Sequence, residues 1–291
     1  MSAFFAIASA FLYALTNVLV KRGLSQTDPS SATIISLLGS FFSAFIFFLF
    51  YASIDNLFTR AFYFFLAAGI IGPFFGRLLL FKGIDRVGAA ISTTLFADRT
   101  LFAVLGAMLL LGERLTPVIG LGIALMLAGT IIVSFEREGG QIKKDWSKID
   151  LLFPIAAGAC YGASQFLRKM GLNITPDPAI GVMVQNIGAV LLLPLFSLPR
   201  KRLSGSLFSK KTSVWTLFLG IGFLQALAQW CFFKALDVGS VVVVSPLSAL
   251  NTFFVLILTA LFLKKIERVT PKIVLGAVLM VAASIIITLR S

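Results

Sequence analysis

Long apolar runs, separated by short charged segments, make up most of the chain. Ten of these runs carry few or no charges, and each is close to the roughly 17–25 residues that a bilayer-spanning helix needs. In chain order they are Ala3–Val20, Ser31–Tyr51, Ala61–Phe81, Val87–Leu111, Leu115–Phe135, Leu151–Leu167, Pro178–Leu198, Thr212–Phe233, Val238–Leu263 and Ile273–Leu289. The pattern predicts an all-α integral membrane protein with ten transmembrane helices.

The sequence also contains an internal repeat of about 150 residues. Its marks are Tyr13 with Lys21-x-Gly23-Leu24, Phe81-Lys82-x-x-Asp85 and Glu113-Arg114-x-Thr116-Pro117, matched by Tyr161 with Lys169-x-Gly171-Leu172, Phe233-Lys234-x-x-Asp237 and Glu267-Arg268-x-Thr270-Pro271. Each copy holds five predicted spans, an odd number, so the two copies should cross the membrane in opposite directions. We therefore expect two inverted five-helix repeats, residues 1–138 and 149–291, as in secondary transporters with a substrate site near the midplane.

Composition excludes several classes of protein. Of the 291 residues 58% are hydrophobic and 13% are charged, and the mean hydropathy is +0.99, outside the range of soluble domains. The net charge of +13 comes from Lys and Arg residues between the apolar runs, which is typical of the positive-inside rule rather than of a nucleic-acid-binding surface. Because the chain has no histidine and its two cysteines, Cys160 and Cys231, lie far apart in apolar runs, we expect no metal, cofactor or disulfide.

The distribution of basic residues predicts the orientation. Seventeen Lys and Arg residues lie on the side that holds the connections after the odd-numbered spans, six lie on the other side, and Arg77 and Arg99 lie within spans. The first apolar run has no basic residue before it, so we interpret it as a span rather than a cleavable signal peptide. The count places both termini outside the cytoplasm.

A family resemblance rests on the turn after the fourth predicted helix and on the glycines that follow it. These residues are Gly112-Glu113-Arg114-Leu115-Thr116, Gly120, Gly122 and Gly129, with Lys265-Ile266-Glu267-Arg268-Val269-Thr270 and Gly276 as the second copy. They resemble the drug/metabolite transporter superfamily in its EamA-type, ten-helix form, over nearly the whole chain. The resemblance implies a central cavity lined mainly by helices 1, 3, 4, 6, 8 and 9, a place in the cell membrane, and export of small organic metabolites in several members. It also implies cytoplasmic termini, so both orientations stay open.

The pair Asp98-Arg99 stands in the middle of the run Val87–Leu111. Arg99 is too far from either end of this run to reach the headgroups, so its charge needs a protein partner, a wet cavity or a ligand. Neighbouring side chains point about 100° apart on a helix, so the two residues serve different partners more easily than each other. We favour a functional role over a structural ion pair, with Arg99 attracting a carboxylate and Asp98 receiving an amine or a coupled proton.

Arg77 and Gln229 occupy equivalent positions in the two copies, and Gln225 lies one helical turn before Gln229. Their depths suit the two ends of an alternating-access path. Arg77 also lies only four residues before Phe81, close enough to the end of its run for the side chain to snorkel to the surface. The functional and the structural interpretation of Arg77 are equally open.

Matching polar faces occur on the first and sixth spans, where Tyr13-Asn17 and Tyr161-Gln165 are spaced i, i+4 and so share one side of a helix. Arg168 extends the second face. We interpret Tyr13 and Asn17 as interhelical hydrogen-bonding residues, and we expect Gln165 and Arg168 to line a cavity.

Two further candidates lie in the second copy. In the ninth span Ser245-Pro246 predicts a kink, because proline removes a backbone hydrogen bond, and Asn251 adds an amide close to it. Trp230, beside Gln229, is the aromatic residue that we include in the substrate pathway.

Three functions compete. We favour a secondary active transporter that exports a small polar metabolite, such as an amino acid or an organic anion, by alternating access between the repeats, as a monomer or homodimer. A non-transporting membrane assembly or a lipid-handling protein on the same helices is the alternative. A membrane-embedded enzyme is disfavoured, because the sequence has no histidine and shows no paired carboxylates or metal-ligand cluster. No nucleotide-binding motif favours ATP-driven transport.

Overall fold

The computed structural model describes residues 1–52, 57–88, 92, 95–137, 147–194, 212–262 and 271–289, and every regular element in these residues is a helix. The helices are α1 (Ser2–Gly23), α2 (Pro29–Tyr51), α3 (Ala61–Val87), α4 (Arg99–Leu110), α5 (Pro117–Arg137), α6 (Leu152–Ile174), α7 (Pro178–Leu191), α8 (Thr212–Asp237), α9 (Val241–Ser248), α10 (Asn251–Phe262) and α11 (Pro271–Leu289). Glu267, Arg268 and Thr270, which belong to the second copy of the repeat motif, lie outside the described residues.

The second helix of each copy begins in the same way. Asp28 precedes Pro29 at the start of α2, and its carboxylate accepts a hydrogen bond from the backbone N–H of Ser31. Asp177 precedes Pro178 at the start of α7 and accepts from the next two N–H groups. An aspartate cap followed by proline suits a helix N-terminus, since the first N–H groups have no partner within the helix.

The third helix is longer than the sequence predicts and is not uniform. It contains a π-helical segment, Ile70–Gly76, around Pro73, as expected where proline removes a hydrogen bond within a helix. It then continues beyond the predicted end at Phe81 to Val87, where Gly88, with φ of 93°, ends it. The prediction that the fourth span begins at Val87 is therefore wrong.

Two equivalent spans are interrupted near their middles. A 3₁₀ turn, Phe96–Asp98, precedes α4, and the turn at Ala249-Leu250 separates α9 from α10 three residues after Pro246. Arg99 is therefore the first residue of α4 rather than the middle of one long helix. Interrupted helices leave backbone groups free to bind side chains or substrates near the membrane centre.

The described helices have the character of a multi-pass membrane protein. Four of them, α1, α2, α3 and α8, are long and apolar enough to cross a bilayer, and several others are shorter apolar helices. Large apolar side chains such as Phe42, Leu49 and Phe50 are exposed on the surface of α2, as expected in contact with lipid. The count of ten spans and the inversion of the two copies remain predictions.

Small residues bring the helices close together around the centre. Ser40 of α2 donates a hydrogen bond to the carbonyl of Gly222 of α8, at 3.0 Å, and Ser164 of α6 donates to the carbonyl of Ala68 of α3, at 2.8 Å. Away from this core, α5 packs against α11, with Gly129 close to the carbonyl of Gly276. This packing leaves α1, α3, α4, α6 and α8 to α10 around a central space.

Candidate functional site

Seven helices and the turn before α4 enclose one cavity with polar walls. Its lining residues are Tyr13, Asn17, Arg77, Leu80, Phe81, Phe96, Arg99, Tyr161, Gln165, Arg168, Gln225, Phe232, Ser248 and Asn251, and they surround about 490 Å³ of empty space, part of it open to solvent. Six of the nine candidates from the sequence meet here: Arg77, Arg99, Gln165, Arg168, Gln225 and Asn251.

Arg99 is held by the interrupted ninth span. Its Nη2 donates a hydrogen bond to the carbonyl oxygen of Ser248, at 2.6 Å, and its guanidinium carbon lies 4.5 Å from the centre of the Phe96 ring. The residue is 6% exposed and its Nε has no hydrogen-bond partner among the described residues. The end of α9 therefore fixes one side of this guanidinium.

Asp98 points away from its neighbour. Its Oδ1 packs directly against the backbone of Gly158 on α6, where a Cβ would clash with it, and this oxygen has no hydrogen-bond partner within the described part of the chain. Asp98 is not among the residues that line the cavity. Asp98 and Arg99 therefore contact different helices, α6 and α9, although the two charges still interact electrostatically.

Arg77 is buried, with 1% of its surface exposed, and so does not reach the membrane surface by snorkelling. It follows the π-helical segment directly, and its Nη1 approaches the hydroxyls of Ser36 and Ser40 on α2, at 3.5 and 3.3 Å. Neutral hydroxyls at these distances stabilise a guanidinium only weakly. Its Nε is unpaired in the described structure.

Arg168 is 2% exposed and lies over the Phe232 and Phe233 rings of α8, each 5.5 Å from its guanidinium carbon. Two of its nitrogens, Nε and Nη2, have no hydrogen-bond partner among the described residues. Arg168 interacts electrostatically with Arg77, and Arg99 interacts with Arg168. Like charges in one buried space repel each other, and among these arginines it is Arg99 on which an acidic residue, Asp98, acts electrostatically.

Amide side chains complete the lining of the cavity. The Oε1 atoms of Gln165 and Gln225 are buried and find no donor in the part of the chain that is described. Asn17 on α1 donates to Asn251 at the start of α10, at 3.5 Å, so Asn17 makes an interhelical hydrogen bond and also faces the cavity. These amides offer hydrogen-bonding groups beside the arginines.

Gln229 and Trp230 lie outside the cavity lining. The Oε1 of Gln229 accepts hydrogen bonds from Gln185 and Asn186 on α7, the latter at 2.9 Å. Trp230 packs against Phe5, Phe47 and Tyr51, with Lys234 over its ring. The structure therefore places both residues between helices.

The sequence analysis did not predict the roles of several residues around the site. Glu113 accepts hydrogen bonds from the N–H groups of Val241 and Val242, at 3.0 and 2.9 Å, and so caps α9 from the other copy of the repeat. The i, i+4 spacing of Gly158 and Gly162 was a visible signal for the close approach of α4 to α6. Ser248 carried no signal, because its role depends on a backbone carbonyl.

Solved structures share this fold. Matching chains number 29, and one is a crystal structure described only as "Crystal structure of protein". It superposes with a TM-score of 0.78 at 17% sequence identity, over 99% of this chain and 96% of the other. At this identity the likeness shows the fold alone. No curated protein sequence matches the chain.

A family model does match, and it matches twice. The model of the EamA-like transporter family aligns with residues 1–135 and 148–289, nearly the whole chain. Members of this family are transporters, which agrees with the helices long and apolar enough to cross a bilayer and with the polar cavity between them. The chain belongs to the EamA-like transporter family of the drug/metabolite transporter superfamily.

Proposed function

We propose that this protein is a secondary active transporter of a small organic anion, bound in the central cavity by Arg77, Arg99 and Arg168. One observation carries this proposal: three buried guanidinium groups line the cavity, while its described lining includes no aspartate or glutamate. Buried charges persist when they are paired. A bound carboxylate or phosphate supplies the missing negative charge and accepts hydrogen bonds from the guanidinium nitrogens.

The same lining distinguishes between the substrate classes that the sequence left open. An α-amino acid needs a negative or polar partner for its ammonium group, and Asp98, the candidate for that role, packs against Gly158 instead. The unpaired oxygens of Gln165 and Gln225 suit a hydroxyl donor on the substrate. We therefore favour hydroxylated carboxylates and phosphomonoesters over amino acids and lipophilic cations.

The contribution of both copies of the repeat to the cavity supports transport by alternating access. Arg77 and Arg99 belong to the first copy and Arg168 to the second, and Arg99 binds the carbonyl of Ser248 across the boundary. A substrate that contacts all three arginines joins the two copies. Rocking of one copy against the other would then expose the bound anion to each side of the membrane in turn.

Counterflow in proteoliposomes tests this proposal without any assumption about coupling. Purified protein is reconstituted with about 5 mM internal malate or glycerol 3-phosphate, above the roughly 1 μM–1 mM range of common KM values. Uptake of the same labelled compound is then followed. Choline is the cationic comparison. We expect saturable counterflow of at least one anion, none of choline, and loss of anion counterflow in Arg99→Gln.

The matched control is Arg86→Gln, which removes an exposed arginine at the end of α3 and should transport like the wild type. Counterflow of choline without counterflow of either anion would contradict the proposal. Absence of all counterflow from correctly inserted protein would contradict it as well, and would favour the non-transporting alternative.

A further inference from the structure

We propose that Asp98 is a proton-binding site coupled to the anion site, so that a proton and the anion cross the membrane together. This proposal presupposes the anion transport described above. It concerns the one acidic side chain at the middle of the fourth span, which the cavity itself does not use.

The position of Asp98 suits a neutral carboxyl group better than a carboxylate. Asp98 directly precedes α4, where a carboxylate ordinarily accepts hydrogen bonds from the first N–H groups and benefits from the helix dipole. Here no well-formed capping bond is present, although the backbone N–H of Arg99 lies close enough to interact with the carboxyl group. Its Oδ1 is instead buried against the Cα of Gly158 without a donor, and burial of an ionised oxygen without a partner is far more costly than burial of a neutral one.

The charged surroundings of Asp98 are simple. Arg99 is the charged residue that interacts with it electrostatically. The turn Phe96–Asp98 packs against α6 and α5. Near Gly158, α6 brings the titratable groups Cys160 and Tyr161, while Pro117–Gly129 of α5 carries no charged residue. Arg99 is therefore the group through which an event in the cavity reaches Asp98.

Electrostatics then makes the proton and the anion favour each other. An anion bound to Arg99 neutralises the positive charge beside Asp98, which favours the protonated carboxyl group. Reciprocally, protonation removes the negative neighbour of Arg99 and leaves its charge available to the anion. Cooperative loading of this kind gives symport.

Gly158 connects this site to movement of the helices. Protonated Asp98 allows α4 and α6 to pack closely at Gly158 and Gly162, where the backbone of Arg99 lies against α6. An ionised Asp98 gains by turning away from Gly158 towards the start of α4 or towards the guanidinium of Arg99. Proton loss therefore loosens the α4–α6 contact and changes the position of the arginine that holds the anion.

The first experiment tests the proton site without any substrate. Dicyclohexylcarbodiimide modifies protonated carboxyl groups in apolar surroundings, and the modified peptide can be identified by mass spectrometry. We expect labelling of Asp98 that falls severalfold between pH 6 and pH 9 and is absent in Asp98→Asn. The matched control Asp85→Asn, at the end of α3, should leave the labelling of Asp98 unchanged. Absence of labelling at pH 6, or labelling that does not depend on pH, would overturn the proton site.

The second experiment tests the coupling in proteoliposomes, with malate and glycerol 3-phosphate as probes. In the wild type an inwardly directed proton gradient should drive accumulation of the transported anion several-fold above equilibrium. Asp98→Asn should lose this accumulation and keep counterflow within about twofold, because exchange needs no net proton movement. If Asp98→Asn still accumulates the anion, the proposal that Asp98 couples proton and anion transport is wrong, whereas the proposal of anion transport is unaffected. If the wild type shows no counterflow, anion transport itself fails, whatever the labelling shows.

Discussion

Equivalent positions in the two copies of the sequence repeat behave in two different ways. Where the residue types match, the contacts match as well. Asp28 and Asp177 cap α2 and α7, and Lys21 and Lys169 donate to backbone carbonyls at the ends of α3 and α8. The matched residues hold helix ends in place in both copies.

Where the residue types differ, the charged member lines the cavity. The alignment of Phe81 with Phe233 places Arg77 opposite Gln229. The alignment of Lys21 with Lys169 places Arg168 opposite Val20. Arg77 and Arg168 face the cavity, whereas Gln229 binds amides of α7. The duplicated aspartates and lysines hold helix ends, whereas the two arginines that break the duplication line the cavity beside the duplicated pair Tyr13 and Tyr161. Substitutions of the two kinds should therefore have different consequences.

The largest effect is expected at Arg99. Arg99→Gln removes a buried cation from the anion site, and loss of such a group costs about 2–5 kcal/mol, a decrease in kcat/KM of roughly 30-fold or more. Arg99→Lys keeps the charge and should retain partial transport. Counterflow kinetics on equal amounts of inserted protein measure both. A structural ion pair with Asp98 would instead leave both single neutral variants poorly folded and the double variant Asp98→Asn/Arg99→Gln rescued, with normal transport.

A smaller effect is expected at Arg77. Arg77→Gln places a glutamine at both equivalent positions, 77 and 229. The variant therefore tests directly whether the difference between the two copies at this position matters for transport. The loss of hydrogen bonds from a charged group, about 1.5–3 kcal/mol, should raise KM roughly 10- to 100-fold while the protein remains folded. If transport is unchanged, the cavity does not need the charge of Arg77.

Lys169 tests the residues that are the same in both copies of the repeat. Its Nζ donates to the carbonyls of Leu236 and Gly239, at 2.7 and 2.9 Å, whereas Lys21 is exposed and donates to Ile84 at 3.4 Å. Lys169→Met should lower the free energy of unfolding by about 1–2 kcal/mol, and Lys21→Met by less. Thermal unfolding in detergent measures both. A specific loss of anion affinity in Lys169→Met at unchanged stability would place this residue in the site.

The smallest effects are expected at the two caps. Asp28→Ala and Asp177→Ala each remove a helix cap worth about 1 kcal/mol. Both variants should unfold at slightly lower temperature and should transport the anion with wild-type KM. A change of KM in either variant would show that the matched residues also shape the cavity.

The sequence was most informative where the pattern is local. Apolar runs predicted where the helices lie, and isolated intramembrane charges predicted Arg77 and Arg99 as residues of interest, because a charge in an apolar run stands out in one dimension. Arg168 was predicted from the polar helix face that it extends beyond Tyr161 and Gln165. The end of α3 was misplaced, since the charged residues of its last turn look like a loop. The cap that Glu113 provides for α9, and the carbonyl of Ser248 that binds Arg99, depend on contacts between distant segments. Such contacts leave no periodic signal.

Ligand-dependent thermal stability tests most directly whether the arginines bind an anion. The unfolding temperature of the purified protein in detergent is measured with increasing malate and glycerol 3-phosphate, with choline chloride at equal ionic strength as the control. A ligand present at 100 times its Kd stabilises the folded state by about 2.7 kcal/mol. We predict a saturable rise with at least one of these anions that disappears in Arg99→Gln/Arg168→Gln. The absence of any rise with either anion, or an equal rise in the double variant, would contradict the account.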